Sequence, residues 1–187
     1  MGDEPLANPR SYACVEALKD GVAVTLRAVR RDDGRKIREA FHNLEPETVH
    51  TRFFGYKADV SDTELKRITE VDFERDVALL VTIQSGAKEI VVGGASYFAV
   101  DAGDPPRSAE LAFTVEEDYQ GRGMGGMLMR HLAGIAREKG ILTLEADVLA
   151  GNQGMLGVFR ASGLPIKLRQ DADVIHVTLW LQEGASM

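Results

Sequence analysis

The residues best suited to chemistry in this chain gather around one turn. Gln120-Gly121-Arg122-Gly123-Met124-Gly125-Gly126 follows a strand-like run, Leu111–Val115, after the acidic link Glu116–Tyr119, and leads into an amphipathic helix. Glycine permits positive φ and lets a ligand approach the backbone closely. The first turn of a helix holds amide N–H groups without an intrahelical partner, at the positive end of the helix dipole. Together these features form an anion site suited to a phosphate or pyrophosphate, to which Arg122 can add a charge-assisted contact. The glycines alone do not choose the ligand. Gly121, Gly123 and Gly126 also match G-x-G-x-x-G, with Glu145 about where a dinucleotide fold places its ribose-binding acid. A turn with a purely structural purpose is the third possibility.

The surrounding elements weigh against the dinucleotide. Residues 1–20 are polar and read as a loosely held lead-in. Val22–Val29 alternates as a strand. Asp32 and Asp33 sit where a helix cap belongs, before Ile37, Ala40, Phe41 and Leu44 at helical spacing. Pro46–Phe53 reads as a short helix with proline in its first turn. Ser61 and Glu64 form a capping-box signature opening a helix with Leu65, Ile68 and Val71. Val77–Ile83, Ile90–Ala99 and Ala109–Val115 read as an antiparallel meander. The helix after the glycine turn carries Met124, Leu128, Leu132, Ile135 and Ala136 on one face and ends near Gly140. Ile141–Leu149 is a strand, Gln153–Ser162 a helix closed by Gly163, and Ile166–Leu168 with Val174–Leu181 a final hairpin. A dinucleotide turn belongs directly after the first strand of a βαβαβ half. Here three meander strands precede it, and the chain beyond Gly121 is too short to complete such a sheet. One mixed α/β domain over residues 21–183 is the simplest partition.

Composition excludes several classes. With 44% hydrophobic and 27% charged residues the chain is not of disordered type, and a net charge of -7 argues against a general nucleic-acid binder. The single cysteine, Cys14, cannot form an intramolecular disulfide, and no apolar run is long enough to span a bilayer. The opening Met-Gly-Asp-Glu-Pro is not a secretory signal, so a soluble, cytoplasmic protein without a membrane partner is expected. His42, His50, His131 and His176 are scattered without metal-ligand spacing, so no metal is expected. Trp180 reads as core, and Met124, Met127 and Met129 as helix packing.

The combination of motifs is more specific than any one of them. Gln120-Gly121-Arg122-Gly123-Met124-Gly125, preceded by Leu111-Ala112-Phe113-Thr114-Val115, resembles the acetyl-CoA signature of the GNAT superfamily of N-acetyltransferases, Gln/Arg-x-x-Gly-x-Gly/Ala. Asn152, Phe159 and Gly163 stand where that family has its later asparagine, an aromatic residue and a terminal glycine. The resemblance covers about residues 22–181. It implies an α/β (α+β) fold with a mixed, mostly antiparallel sheet of about seven strands flanked by helices, the fourth and fifth strands splayed apart. It implies acetyl-CoA (coenzyme A) as co-substrate, its pantetheine paired with the backbone of Phe113, Thr114 and Val115. The amides of Arg122, Gly123, Met124, Gly125 and Gly126 would hold the pyrophosphate, within the turn that Gln120 and Gly121 open. Asn152 would face the pantetheine or the departing thiol; it is also a good N-cap for its own helix.

The reaction so implied is direct attack of an amine on the acetyl thioester. A lysine-type amine has an ordinary pKa of about 10.4 and is almost entirely protonated at neutral pH, so a general base is an advantage. Ala109-Glu110-Leu111-Ala112-Phe113 resembles the segment that bears the catalytic glutamate in bacterial Pat-type protein lysine acetyltransferases, which makes Glu110 the candidate base. The competing reading is an exposed strand-edge acid, and Glu116 and Glu117 are alternative bases. The family often places a tyrosine in the helix after Asn152 to reprotonate the thiolate; this chain has Phe159 there and no tyrosine after Tyr119. Thr25–Arg30 with Asp32-Asp33, and Thr51-Arg52-Phe53-Phe54, are similar to the opening of the Pat-type domain, which implies a protein lysine as acceptor. Phe53 and Phe54 read as core or groove wall. Asp59, Asp62, Glu64, Glu116, Glu117 and Asp118 would give an acidic groove for a cationic segment. A small amine as acceptor, and a non-catalytic acyl-CoA-binding module, are the other readings. The sequence leaves oligomeric state open.

Overall fold

The computed structural model describes residues 9–53 and 58–181. Eight strands form one sheet: β1 (Ala13–Ala17), β2 (Ala23–Ala28), β3 (Val77–Ser85), β4 (Lys88–Ala99), β5 (Ser108–Val115), β6 (Thr143–Leu149), β7 (Ile166–Asp171) and β8 (Val174–Trp180). Their spatial order is β1-β2-β3-β4-β5-β6-β8-β7. Among the described residues five α-helices flank it: α1 (Gly34–Asn43), α2 (Pro46–Phe53), α3 (Asp62–Thr69), α4 (Met124–Glu138) and α5 (Gln153–Arg160). All seven strands expected from sequence are present. The eighth, β1, lies in the stretch read as a lead-in. It pairs antiparallel with β2 from Ala13↔Arg27 to Ala17↔Ala23, so backbone hydrogen bonding overrides its weak polar pattern.

The core centres on β3, where six successive residues from Val77 to Thr82 are buried, and on the inner face of α4. A smaller cluster of Phe41, Val49, Val60 and Leu65 holds α1, α2 and α3 together. Met124, Met127 and Met129 are buried as expected. Trp180 is only half-buried, because it ends β8 at the margin of the sheet. The Phe54 expected as core or groove wall lies outside the described residues, as does the side chain of Phe53.

Ser61 caps α3 as its sequence requires: its hydroxyl accepts from Glu64 N at 3.3 Å, and the Glu64 carboxylate accepts from Ser61 N at 2.9 Å. Asp33 does not cap α1. Fully buried, it accepts two hydrogen bonds from Arg27, at 2.7 and 2.8 Å, and one from Arg30 N at 2.8 Å. Glu89 of β4 receives Arg27 at 2.8 Å and Lys36 at 2.5 Å. This network joins β2, α1 and β4. The Arg27 guanidinium is the first cause that holds the Glu89 carboxyl down, at about 2. Asp33 is also lowered, its ion pair with Arg27 outweighing the opposing effect of burial.

Candidate active site

All strand pairings are antiparallel except β5 with β6, and that pair is brief. Ser108, Ala109 and Glu110 pair with Thr143, Leu144 and Glu145, and the register stops there. Leu111–Val115 runs on, paired as a strand with β4 on its other side. The expected splay is therefore present, and a cleft of about 1540 Å³ opens along it.

The glycine turn closes one end of this cleft, and its glycines serve different ends. Gly121 and Gly123 have φ of +71° and +91°, which side chains rarely adopt. A Cβ on Gly125 would stand 2.8 Å from Val158 Cγ2, so that glycine lets α4 pack against α5. A Cβ on Gly126 would meet nothing within 4 Å. Met124 rests on β4, where a Cβ on Gly93 would lie 2.5 Å from its sulfur. The amides of Met124, Gly125 and Gly126 begin α4 and have no partner within it; the first bond that closes a turn is Met127 N to Gly123 O, at 3.0 Å. This fits a bound anion: free amides at a helix start, with open space beside Gly126.

Gln120 and Arg122 work mainly on the protein itself. Gln120 Nε2 donates to Val115 O at 3.0 Å and to Thr48 Oγ1 at 3.2 Å, tying the end of β5 to α2. Arg122 lies 2.6 Å from Asp20, donates to Asp118 O at 3.1 Å, and covers the Tyr119 ring at 4.7 Å. Arg122 lowers the Asp20 carboxyl. The Arg122 carbonyl accepts from Lys19 N at 3.0 Å, so the end of the β1–β2 hairpin braces the turn.

Phe113, Thr114 and Val115 line the cleft from β5, as do Asn152 and Phe159 from the far wall. Asn152 Oδ1 accepts from Met155 N at 3.0 Å and thus caps α5. Phe159 is 1% exposed and packs edge-to-face on Phe113, ring centres 5.8 Å apart, so it supports the wall from behind.

Glu110 stands where the strands part. Its register neighbours are Phe98 on β4 and Glu145 on β6, all on one face of the sheet. It is exposed and lines the cleft with Arg52 of α2 and Arg67 of α3. The Arg67 guanidinium lies 4.1 Å over the Phe98 ring. Burial lowers the Arg52 guanidinium, and the charges of Glu110 and then Glu64 oppose that shift. Sequence reading noted Arg52 only as part of a run and missed its meeting with Glu110.

The alternative bases are placed differently. Glu116 lies six positions along the chain, roughly 20 Å away, and lines an apolar cavity of about 270 Å³ between α1, α3 and the sheet, which adjoins the cleft at Arg52, Arg67 and Phe98. Burial, then Asp118 and Glu117, raise its carboxyl. Glu117 lines the cleft, but its Oε1 accepts from Glu45 N at 2.9 Å. The expected acidic groove does not form. Asp59 and Asp62 pair with Arg38 at 3.5 and 2.6 Å, and Glu64 caps α3. Of the six acids, only Glu117 lines the cleft. Asp147 of β6, hydrogen-bonded to His176 at 2.5 Å, lines the cleft instead.

The model of the acetyltransferase (GNAT) family matches residues 37–164. The chain belongs to the GNAT acetyltransferase family. As a GNAT enzyme it is an N-acetyltransferase with acetyl-CoA as co-substrate. Among its relatives, acetyltransferase PA5475 of Pseudomonas aeruginosa is 31% identical over 150 residues, covering 80% of this chain and 78% of that protein. Acetyltransferase Pat of Mycolicibacterium smegmatis is 33% identical over 129 residues, 69% of this chain but only 37% of that longer protein. The solved GNAT domain of S. lividans PAT superposes with a TM-score of 0.82 at 29% identity, over 90% of this chain and 96% of that one. Among the described residues, no helix is long and apolar enough to cross a membrane.

Proposed function

We propose that this GNAT enzyme transfers the acetyl group of acetyl-CoA to the side-chain amine of a protein lysine, with Glu110 as general base. The supporting observation is the position of Glu110, exposed in the cleft at the last paired residue before β5 and β6 separate. Acetyl-CoA lies with its pyrophosphate on the amides that begin α4 and its pantetheine along the unpaired edge of Phe113–Val115. That orientation brings the thioester toward Glu110. The amine attacks the carbonyl carbon, and its proton passes to Glu110 directly or through a water. A backbone N–H of the unpaired β5 edge stabilises the oxyanion. The C–S bond then breaks, and the coenzyme A thiolate takes its proton from solvent, since Phe159 offers none.

The likeness to Pat proteins favours lysine. One observation favours a second reading: Arg52 and Arg67 beside Glu110 suit a small amine that also carries an anionic group. Thiol release with acetyl-CoA, measured across lysine peptides and a panel of small amines, separates the two. Turnover on peptides that exceeds turnover on amino acids supports lysine, and the reverse order replaces it. Unchanged turnover in Glu110→Gln would remove Glu110 as the base.

A further inference from the structure

At the rim of the cleft, which Glu16 and Arg130 still line, β1 lies beside α4, and alternate side chains of the strand meet the helix. Cys14 and Glu16, with Tyr12 just before β1, share one half-buried face. They come against His131 of α4, more than a hundred positions later in sequence. One ligand atom from each of Cys14, Glu16 and His131 lies within 4.8 Å of the other two. A tetrahedral zinc site has bonds of about 2.0–2.3 Å, so its ligand atoms stand roughly 3.5 Å apart. Rotation of half-buried side chains covers that difference.

The hydrogen bonds around His131 show how its ring could be turned to a metal ion. The Tyr12 hydroxyl meets His131 Nδ1 and stands near the Cys14 sulfur, to which it can also donate. A hydroxyl has one proton. If it goes to sulfur, the tyrosine oxygen accepts from Nδ1–H. His131 Nε2 then faces Glu16 Oε1 at 2.8 Å with a proton between them, which a metal ion could displace once the two side chains part slightly. Tyr12 thereby acts as the outer partner that fixes a ligating histidine's tautomer. Arg130, 3.2 Å from Glu16, is the competing cation, but it is an exposed surface side chain. A simple Tyr12–His131–Glu16 chain explains two of the contacts and gives the adjacent thiol no role.

We propose that Cys14, Glu16 and His131 bind one Zn²⁺ ion, with a water completing the tetrahedron. Binding releases the thiol proton of Cys14 and the proton between His131 and Glu16 to solvent, leaving thiolate, neutral imidazole and carboxylate as ligands. The ion would rivet the edge strand to the helix that begins at the glycine turn, which Lys19 already braces through the Arg122 carbonyl.

The test uses the full chain, stripped with a chelator and titrated with Zn²⁺ against a chromophoric competitor, with Co²⁺ as spectroscopic probe. One equivalent is expected to bind, the Co²⁺ form is expected to show a thiolate charge-transfer band, and the melting temperature should rise. Tyr12→Phe should weaken Zn²⁺ by about 10–100-fold, and Cys14→Ser and His131→Gln by more. Absence of stoichiometric uptake by the wild-type chain overturns the site, as does a Co²⁺ complex without the thiolate band. Uptake unchanged in both Cys14→Ser and His131→Gln does the same, and either variant suffices if the other fails to fold.

Discussion

The donor end of the cleft is closed by a single run, Gln120–Gly126, which offers backbone amides at a helix start and open space beside Gly121 and Gly126. The acceptor end draws Arg52, Arg67, Phe98 and Glu110 from α2, α3, β4 and β5. An anion held by backbone needs only local conformation, so its signature is short and contiguous. An amine brought to a carboxylate needs side chains whose meeting depends on how four elements pack. That difference explains why the donor is fixed by family while the acceptor is still a proposal.

The comparison can be broken from either end. Glu110→Gln should produce the largest effect, a fall in turnover of about 10²–10⁴-fold with acetyl-CoA affinity by calorimetry unchanged. A matching loss of affinity would show that the two ends are not separable. Arg27→Ala, in the network that joins β2, α1 and β4, leaves Asp33 buried without its partner and should cost about 3–5 kcal/mol in denaturant unfolding. A loss below about 1 kcal/mol would show that the network does not hold α1 in place.

The same network sets an acid limit. The Glu89 carboxyl lies at about 2 against an ordinary 4.5, so its contribution is complete above about pH 4.5 and is lost as pH falls toward 2. Unfolding followed from pH 6 downward should show stability declining through that window. Glu89→Gln should flatten the decline.

Smaller effects sharpen the donor end. Gly125→Val should destabilise by about 1–3 kcal/mol through overpacking against Val158. Gly126→Ala, with open space at its Cβ, should leave stability unchanged or raised by about 0.5–1 kcal/mol yet raise the KM for acetyl-CoA. Equal thermal melts for the two variants would contradict the packing assigned to Gly125. Asn152→Ala removes the cap of α5 and should cost about 1 kcal/mol in a thermal melt. A larger loss of acetyl-CoA affinity than of stability would assign Asn152 to the cofactor as well.

Much of the fold was legible because its elements carry local instructions. Ser61 and Glu64 announce the start of α3, Asn152 that of α5, and Gly163 the close of its final turn, at φ +74°. β1 was missed because an edge strand with one half-buried face has little apolar periodicity. Asp33 was misplaced because an acid before a helix looks like a cap, and only the fold brings the Arg27 guanidinium to it. The acidic groove failed for the same reason: only the fold brings Arg38 of α1 to Asp59 and Asp62 and turns them from the cleft.

By itself the sequence determined the order of elements from β2 onward and the glycine turn, since periodicity, caps and positive-φ positions are properties of neighbouring residues, and its contiguous motif carried the family resemblance. The tertiary structure decided which side chains surround Glu110, why each glycine is needed, and that Cys14, Glu16 and His131 share one corner. Those contacts join residues tens of positions apart. Their energies arise only when packing removes water between them, and no local pattern in the chain records that.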